Sequence, residues 1–91
     1  MNHFFSPEFD KRYRKLSSKE QWQVDKAVQA FLKQLILRTS LPKGLGLKKL
    51  TASYWEIRAS LDLRIIVELK DPVGFLLVGR HDDIRRFIRE Q

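Results

Sequence analysis

The sequence has 91 residues, no cysteine, and 18 Lys and Arg against 11 Asp and Glu, a formal net charge of +7. That length suits one domain spanning 1–91. The 43% hydrophobic content excludes a disordered chain, and the lack of cysteine excludes disulfides, thiolate chemistry and, with two histidines, a structural zinc site. No apolar run approaches a membrane span and MNHFFSPEF lacks a signal-peptide pattern, so the expected location is the cytoplasm, where the positive charge suits a polyanionic partner.

His3-Phe4-Phe5 reads as an edge strand. Ser6-Pro7-Glu8 is a helix start, with Ser as N-cap, Pro at the first helical position and an acid in the first turn; Phe9, Tyr13 and Leu16 then mark one face. Ser17-Ser18 breaks that helix, and Ser18 with Gln21 predicts a capping box for the next. Val24, Val28, Phe31 and Leu35 form an apolar stripe, so this helix should run to about Arg38 and make an αα-hairpin with the first. Trp22 and Trp55 are expected in or beside the core. Residues 39–46, with Pro42, Gly44 and Gly46, read as a loop carrying Lys43.

From there the apolar period becomes strand-like. Tyr54 to Ser60, Arg64 to Lys70 and Phe75 to Arg80 are three predicted strands, with a type I turn at Asp71-Pro72-Val73-Gly74. Asp82 to Glu90, with Ile84, Phe87 and Ile88, predicts a short helix capped by Asp82 or Asp83. The expected class is α+β in the order β-α-α-β-β-β-α: a small antiparallel-rich sheet with the αα-hairpin on one face.

Register then places side chains. A three-residue turn, Leu61-Asp62-Leu63, pairs Ser60 with Arg64 and keeps Trp55, Ile57, Ala59, Ile65, Val67 and Leu69 on one face. The turn at 71–74 pairs Lys70 with Phe75, and hence Arg64 with His81 and Ile66 with Gly79. Arg58, Arg64 and His81 then share the face that the helices leave open. Two fixed cations and one titratable imidazole there suit holding a phosphate and moving a proton, and Gly79 would leave room for a ligand to approach. A plainer arrangement is also open, in which Arg58 and Arg64 pair with Glu56 and Glu68 and His81 only bonds a helix start. Lys48 and Lys49 are expected just upstream of the Tyr54 strand as phosphate contacts or a solvated loop. Arg85, Arg86 and Arg89 read as a solvated face or a docking face for an acidic partner.

The order of elements, the SPEFDKRYRKL start, the GLGLKKL…YWEIRAS…LRIIVEL core and the final VGRHDD together resemble the RelE/ParE toxin superfamily of type II toxin–antitoxin systems, in particular a RelE-like branch with an HDD-type ending. The resemblance covers essentially the whole chain. It implies a ribosome-dependent mRNA endonuclease that represses translation without a metal or other cofactor. The 2′-hydroxyl attacks the neighbouring phosphate, leaving a cyclic phosphate and a 5′-hydroxyl. It further implies an acidic antitoxin, the ribosome and mRNA as partners. Arg58 and Arg64 match the family's phosphate-binding arginines and Arg80-His81 its basic pair after the last strand. Lys48, Lys49, Arg80 and Arg85 become RNA or ribosome contacts, and His81 the acid/base candidate. The chain departs from the pattern where RelE has lysines, at Trp55-Glu56-Ile57, and at two family tyrosine positions, which here hold Phe87 and Arg85. Without a phenol, proton transfer falls to His81 or catalysis is weak or absent. ParE-like members share the fold and inhibit DNA gyrase, so a gyrase inhibitor and an inactive partner-binding protein are the alternatives.

Overall fold

The computed structural model describes residues 2–37 and 46–90. The expected helix end at Arg38, most of the loop that follows it, and Lys43 lie outside the described residues.

In chain order the elements are β1 (His3–Phe5), α1 (Pro7–Arg14), α2 (Ser18–Leu37), β2 (Leu47–Lys49), β3 (Tyr54–Arg58), β4 (Arg64–Glu68), β5 (Val73–Gly79) and α3 (His81–Arg89). The class is α+β, as expected, with one strand more. Lys48 and Lys49 do not lead into a strand; they belong to β2, which pairs antiparallel with β3. Three residues carry too little alternation to announce a strand, and β2 exists because β3 offers it a ladder. The sheet runs β1-β5-β4-β3-β2, with β1 parallel to β5 and the other pairs antiparallel.

Local chemistry explains the helix starts. The Ser6 hydroxyl accepts the Phe9 N–H at 3.0 Å and donates to the Leu76 carbonyl at 2.8 Å, so one side chain caps α1 and ties it to β5. The capping box of α2 sits one residue earlier than expected. Ser17 Oγ accepts the Glu20 N–H at 3.2 Å, and Glu20 Oε1 accepts the Ser17 N–H at 3.0 Å. The sequence holds both patterns, Ser17/Glu20 and Ser18/Gln21, and a carboxylate is the stronger acceptor for a helix N-terminus.

Phe9 of α1 and Val24, Ala27, Val28 and Phe31 of α2 pack on Ile57, Ile65, Val67, Val73, Phe75 and Val78 of the sheet as one buried core. Trp55 is half-buried, but Trp22 is exposed, with Lys26 Nζ 4.6 Å from its ring centre. The stripe of α2 leaves Trp22 on the outer side, where a cation covers its face.

Both registers differ from expectation. Arg58 stands opposite Arg64, so the β3–β4 loop is five residues, not three. Arg64 stands opposite Gly79 rather than His81, and Ile66 opposite Leu77 rather than Gly79. A bulge between Ile66 and Val67 then sets Glu68 opposite Gly74. Strand β5 begins at Val73, inside the expected turn, after a cis Asp71–Pro72 bond. At the Arg64 end both registers are displaced by two residues, which leaves Arg58, Arg64 and Ile65 on their expected faces; past the bulge the shift is three, which turns Phe75 into the main core and Leu76 to the second face.

The second face of the sheet is not open throughout. Ile84 of α3 packs on Ile66 and Leu77 in a second buried cluster, with Leu50, Tyr54, Leu76 and Phe87 around it. Ile66 and Leu77 belong to the expected polar face, and two apolar side chains there need a cover. Helix α3 supplies it, so the helices lie on both faces and not on one.

Candidate active site

Helix α3 covers only part of the second face, and a cleft of about 440 Å³ remains between it and β2. Lys48 and Glu56 line it from the strands, His81, Arg85 and Arg89 from α3, with Leu50, Ile84 and Ile88 as apolar lining. Lys48 and Glu56 are cross-strand partners. The next row on the same face is Arg58, Arg64 and Gly79 across three strands.

Arg64 is the most constrained of these cations. Its Nη1 donates to the carbonyls of Ser60 at 2.7 Å, Leu61 at 2.9 Å and Leu63 at 3.3 Å. Its Nε lies 3.6 Å from Glu56 Oε2, and the two side chains are only 17% and 15% exposed. Such a half-buried guanidinium is held rigid by one edge, and Nη2 makes no bond to a described residue. The five-residue loop is shaped to receive it: Ser60 Oγ accepts the N–H of Asp62 at 3.3 Å and of Leu63 at 3.1 Å.

Of the residues singled out in the sequence, Arg58 and Arg64 do share the second face, and His81 opens α3 at the cleft's edge. Arg64 pairs with Glu56 as the plainer arrangement expected, while Glu68 pairs instead with Lys70 at 3.5 Å. Arg58 is exposed and has no hydrogen bond or ion pair to a described residue. Lys48 and Lys49 are separated by strand alternation. Lys48 lines the cleft, while Lys49 turns to the other face, 5.7 Å from the Trp55 ring centre. Arg80 is not in the cleft: its Nη2 binds Glu20 Oε2 at 2.7 Å, across to α2. That bond holds the Glu20 carboxyl below its ordinary range. The residue that the sequence reading passed over is Glu56. A carboxylate on a strand's polar face looks like surface; the cue was that Lys48 precedes it at hairpin distance.

No family model matches this sequence, and no curated protein matches it at a significant level. Solved structures do. YafQ from E. coli aligns over 91% of this chain and 96% of its own with a TM-score of 0.67 and 18% identity. YafQ is also known in a DinJ–YafQ toxin–antitoxin complex. A chain of the RelB–RelE antitoxin–toxin complex from Methanococcus jannaschii aligns over 92% and 96%, with a TM-score of 0.66 and 20% identity. The chain has the RelE-like fold. The YoeB dimer from Staphylococcus aureus shares it, over 89% and 97%, with a TM-score of 0.65 and 21% identity. At these identities the likeness speaks for the RelE-like fold alone.

On this RelE-like fold the position of His81 depends on how α3 is seated, and Asp83 seats it. Its Oδ2 accepts the Arg80 N–H at 2.9 Å, and its Oδ1 lies 3.1 Å from Arg12 Nη1 and 3.5 Å from Arg86 Nη1. The backbone bond from Arg80, with the Arg12 and Arg86 charges, holds the Asp83 carboxyl below its ordinary range against partial burial. A carboxyl lowered on folding adds stability above its unfolded pKa and loses it as pH falls through its folded one. Asp83→Ala should therefore cost about 1–2 kcal/mol at pH 7. In urea titrations the gap to wild type should narrow below about pH 4. A gap constant from pH 7 to 3 would mean that the charge of Asp83 does not hold α3. Gly79 fits the same seat: a Cβ there would lie 2.7 Å from Asp83 Cβ, so the space expected for a ligand is filled by α3 itself.

No helix among the described residues is long and apolar enough to cross a membrane, and no group of three or more His, Cys, Asp or Glu there is placed to hold a metal ion.

Proposed function

We propose that the protein is the toxin of a type II toxin–antitoxin module and a ribosome-dependent mRNA endonuclease. The observation that carries this reading is the cleft in which a carboxylate, an imidazole and unpaired cations meet, with Arg64 pinned beside the carboxylate. Metal-free cleavage of RNA needs a base, an acid and a fixed positive charge at the phosphate. Glu56 takes the 2′-hydroxyl proton, and the 2′-oxygen attacks phosphorus. Arg64 Nη2 and Arg58 stabilise the charge that builds on the phosphorane. The bond from phosphorus to the 5′-oxygen breaks, and protonated His81 gives that oxygen its proton. The products are a 2′,3′-cyclic phosphate and a 5′-hydroxyl. No tyrosine is required in this scheme, which accommodates Phe87 and Arg85 at the family's tyrosine positions.

An acidic antitoxin is the proposed protein partner. The net charge of +7 favours it, and relatives of the same fold occur in antitoxin complexes.

The test is cleavage of mRNA on programmed ribosomes by the purified protein. Cuts at the A-site codon are expected, with Glu56→Gln and His81→Gln each slowing them about 100-fold. Cells killed without any cuts, with gyrase supercoiling inhibited, would replace this reading with the ParE-like one. Neither cuts nor toxicity would leave a partner-binding protein.

A further inference from the structure

Two arginines in the cleft have no part in the chemistry above. Arg85 and Arg89 follow His81 at intervals of four residues on α3, and all three line the same cleft. Most other arginines near the site are engaged: Arg12 and Arg86 with Asp83, Arg64 with Glu56, Arg80 with Glu20. Arg85 and Arg89 have no hydrogen bond or ion pair to a described residue, and neither does Lys48 on the opposite wall. Helix α3 thus sorts its charges. Its paired arginine lies with Asp83, and its unpaired ones face the cleft. Three cations without a partner among the described residues, two from the helix and one from the facing strand, therefore share one groove that also has an apolar lining.

The spacing suits a particular ligand. Each four-residue step along a helix advances about 6 Å, so His81 to Arg89 spans about 12 Å. That step is close to the separation of successive phosphates in an extended strand. We infer that α3 is a rail for the RNA backbone: with the scissile phosphate near His81, Arg85 and Arg89 hold the next two phosphates on one side of the cut, and Lys48 closes over the strand from β2. The inference rests on the nuclease reading and adds the bound form of its substrate, a single strand engaged through three consecutive phosphates. Leu50 and Ile88 give the sugars and bases an apolar surface, which carries no sequence preference.

The test reads binding without chemistry. Labelled single-stranded oligoribonucleotides with 2′-O-methyl sugars, which lack the attacking hydroxyl, are titrated with the full chain and followed by fluorescence anisotropy. Affinity should rise with each added phosphate up to the tetranucleotide, which has three, and then level off. The plot of log K against log salt should have a slope of about −2, for three phosphates, and Arg85→Ala and Arg89→Ala should each make it shallower by about 0.7. Arg14→Ala, on α1, is the control and should leave it unchanged. Unchanged slopes in the cleft variants would overturn the rail. So would competition by a polyglutamate peptide as effective as RNA of equal charge, because the cleft would then be a site for an acidic protein. The two readings separate cleanly. Wild type that binds as described but never cuts on ribosomes sinks the nuclease and leaves the rail. Normal cutting by Arg85→Ala and Arg89→Ala sinks the rail and leaves the nuclease.

Discussion

Arg64→Ala should reduce ribosome-dependent cleavage by about 1000-fold, and Arg64→Lys should recover little of it. The guanidinium has two tasks that share one rigid plane. Its Nη1 binds three carbonyls of the β3–β4 loop and its Nε sits against Glu56, which leaves Nη2 as the group offered to the phosphate in the proposed reaction. Lysine keeps the charge but is a point donor on a flexible stem, so it cannot hold the loop and a phosphate in one geometry. Loss of the plane also frees Glu56, a carboxylate only 15% exposed that would then lack its cation. The lysine variant therefore decides the matter. Cleavage restored to within a few-fold of wild type would mean that Arg64 acts by charge alone and that the carbonyl clamp is incidental. Circular dichroism and urea unfolding alongside separate lost chemistry from a lost loop.

Gly79→Ala should destabilise the fold by about 1–3 kcal/mol, while Gly74→Ala stays within about 1 kcal/mol of wild type. Both glycines are buried in β5, and at both a Cβ would meet an atom at 2.7 Å. The difference lies in what is met. At Gly74 it is the edge of the Phe4 ring, an exposed side chain on an edge strand that can swing away. At Gly79 it is the Cβ of Asp83, fixed to the first turn of α3 by a carboxylate whose Oδ2 accepts the Arg80 N–H. Alanine there must lift α3, which breaks the cap and opens the Ile66–Leu77–Ile84 cluster. Against the total stability of about 5–15 kcal/mol usual for native proteins, such a loss is large. The displaced helix carries His81, so cleavage should fall as well. Equal unfolding midpoints for the two variants would show that α3 is not seated through Gly79.

The stretch VGRHDDIRR does both things that its crowding of charges allows. Asp83 and Arg86 belong to the seating of α3, and Arg80 reaches to α2, while His81 and Arg85 border the cleft. Adjacent residues on a helix point in different directions, so a run of charges in sequence becomes two separate sets in space.

By itself the sequence determined the α+β class, both helices of the hairpin and the faces of β3 and β4, but not those of Phe75 and Leu76 in β5, which the bulge reverses. Each of these depends on local periodicity: Val24, Val28 and Phe31 at helical spacing, and Ile57, Ile65 and Val67 at strand spacing. It also placed Arg58 and Arg64 on one face correctly although both registers were off, because a two-residue slip preserves the face. Only the tertiary structure decided the rest. The β3–β4 loop is five residues because Arg64 grips its carbonyls, β2 exists because β3 pairs with it, and α3 crosses to the second face because Ile66 and Leu77 need cover. These are contacts between residues distant in sequence or set by loop shape, which local periodicity does not encode. The cleft depends on all of them at once: it joins Glu56 and Lys48 to α3 only after α3 has been seated, by Asp83 on Arg12 and by the missing Cβ of Gly79.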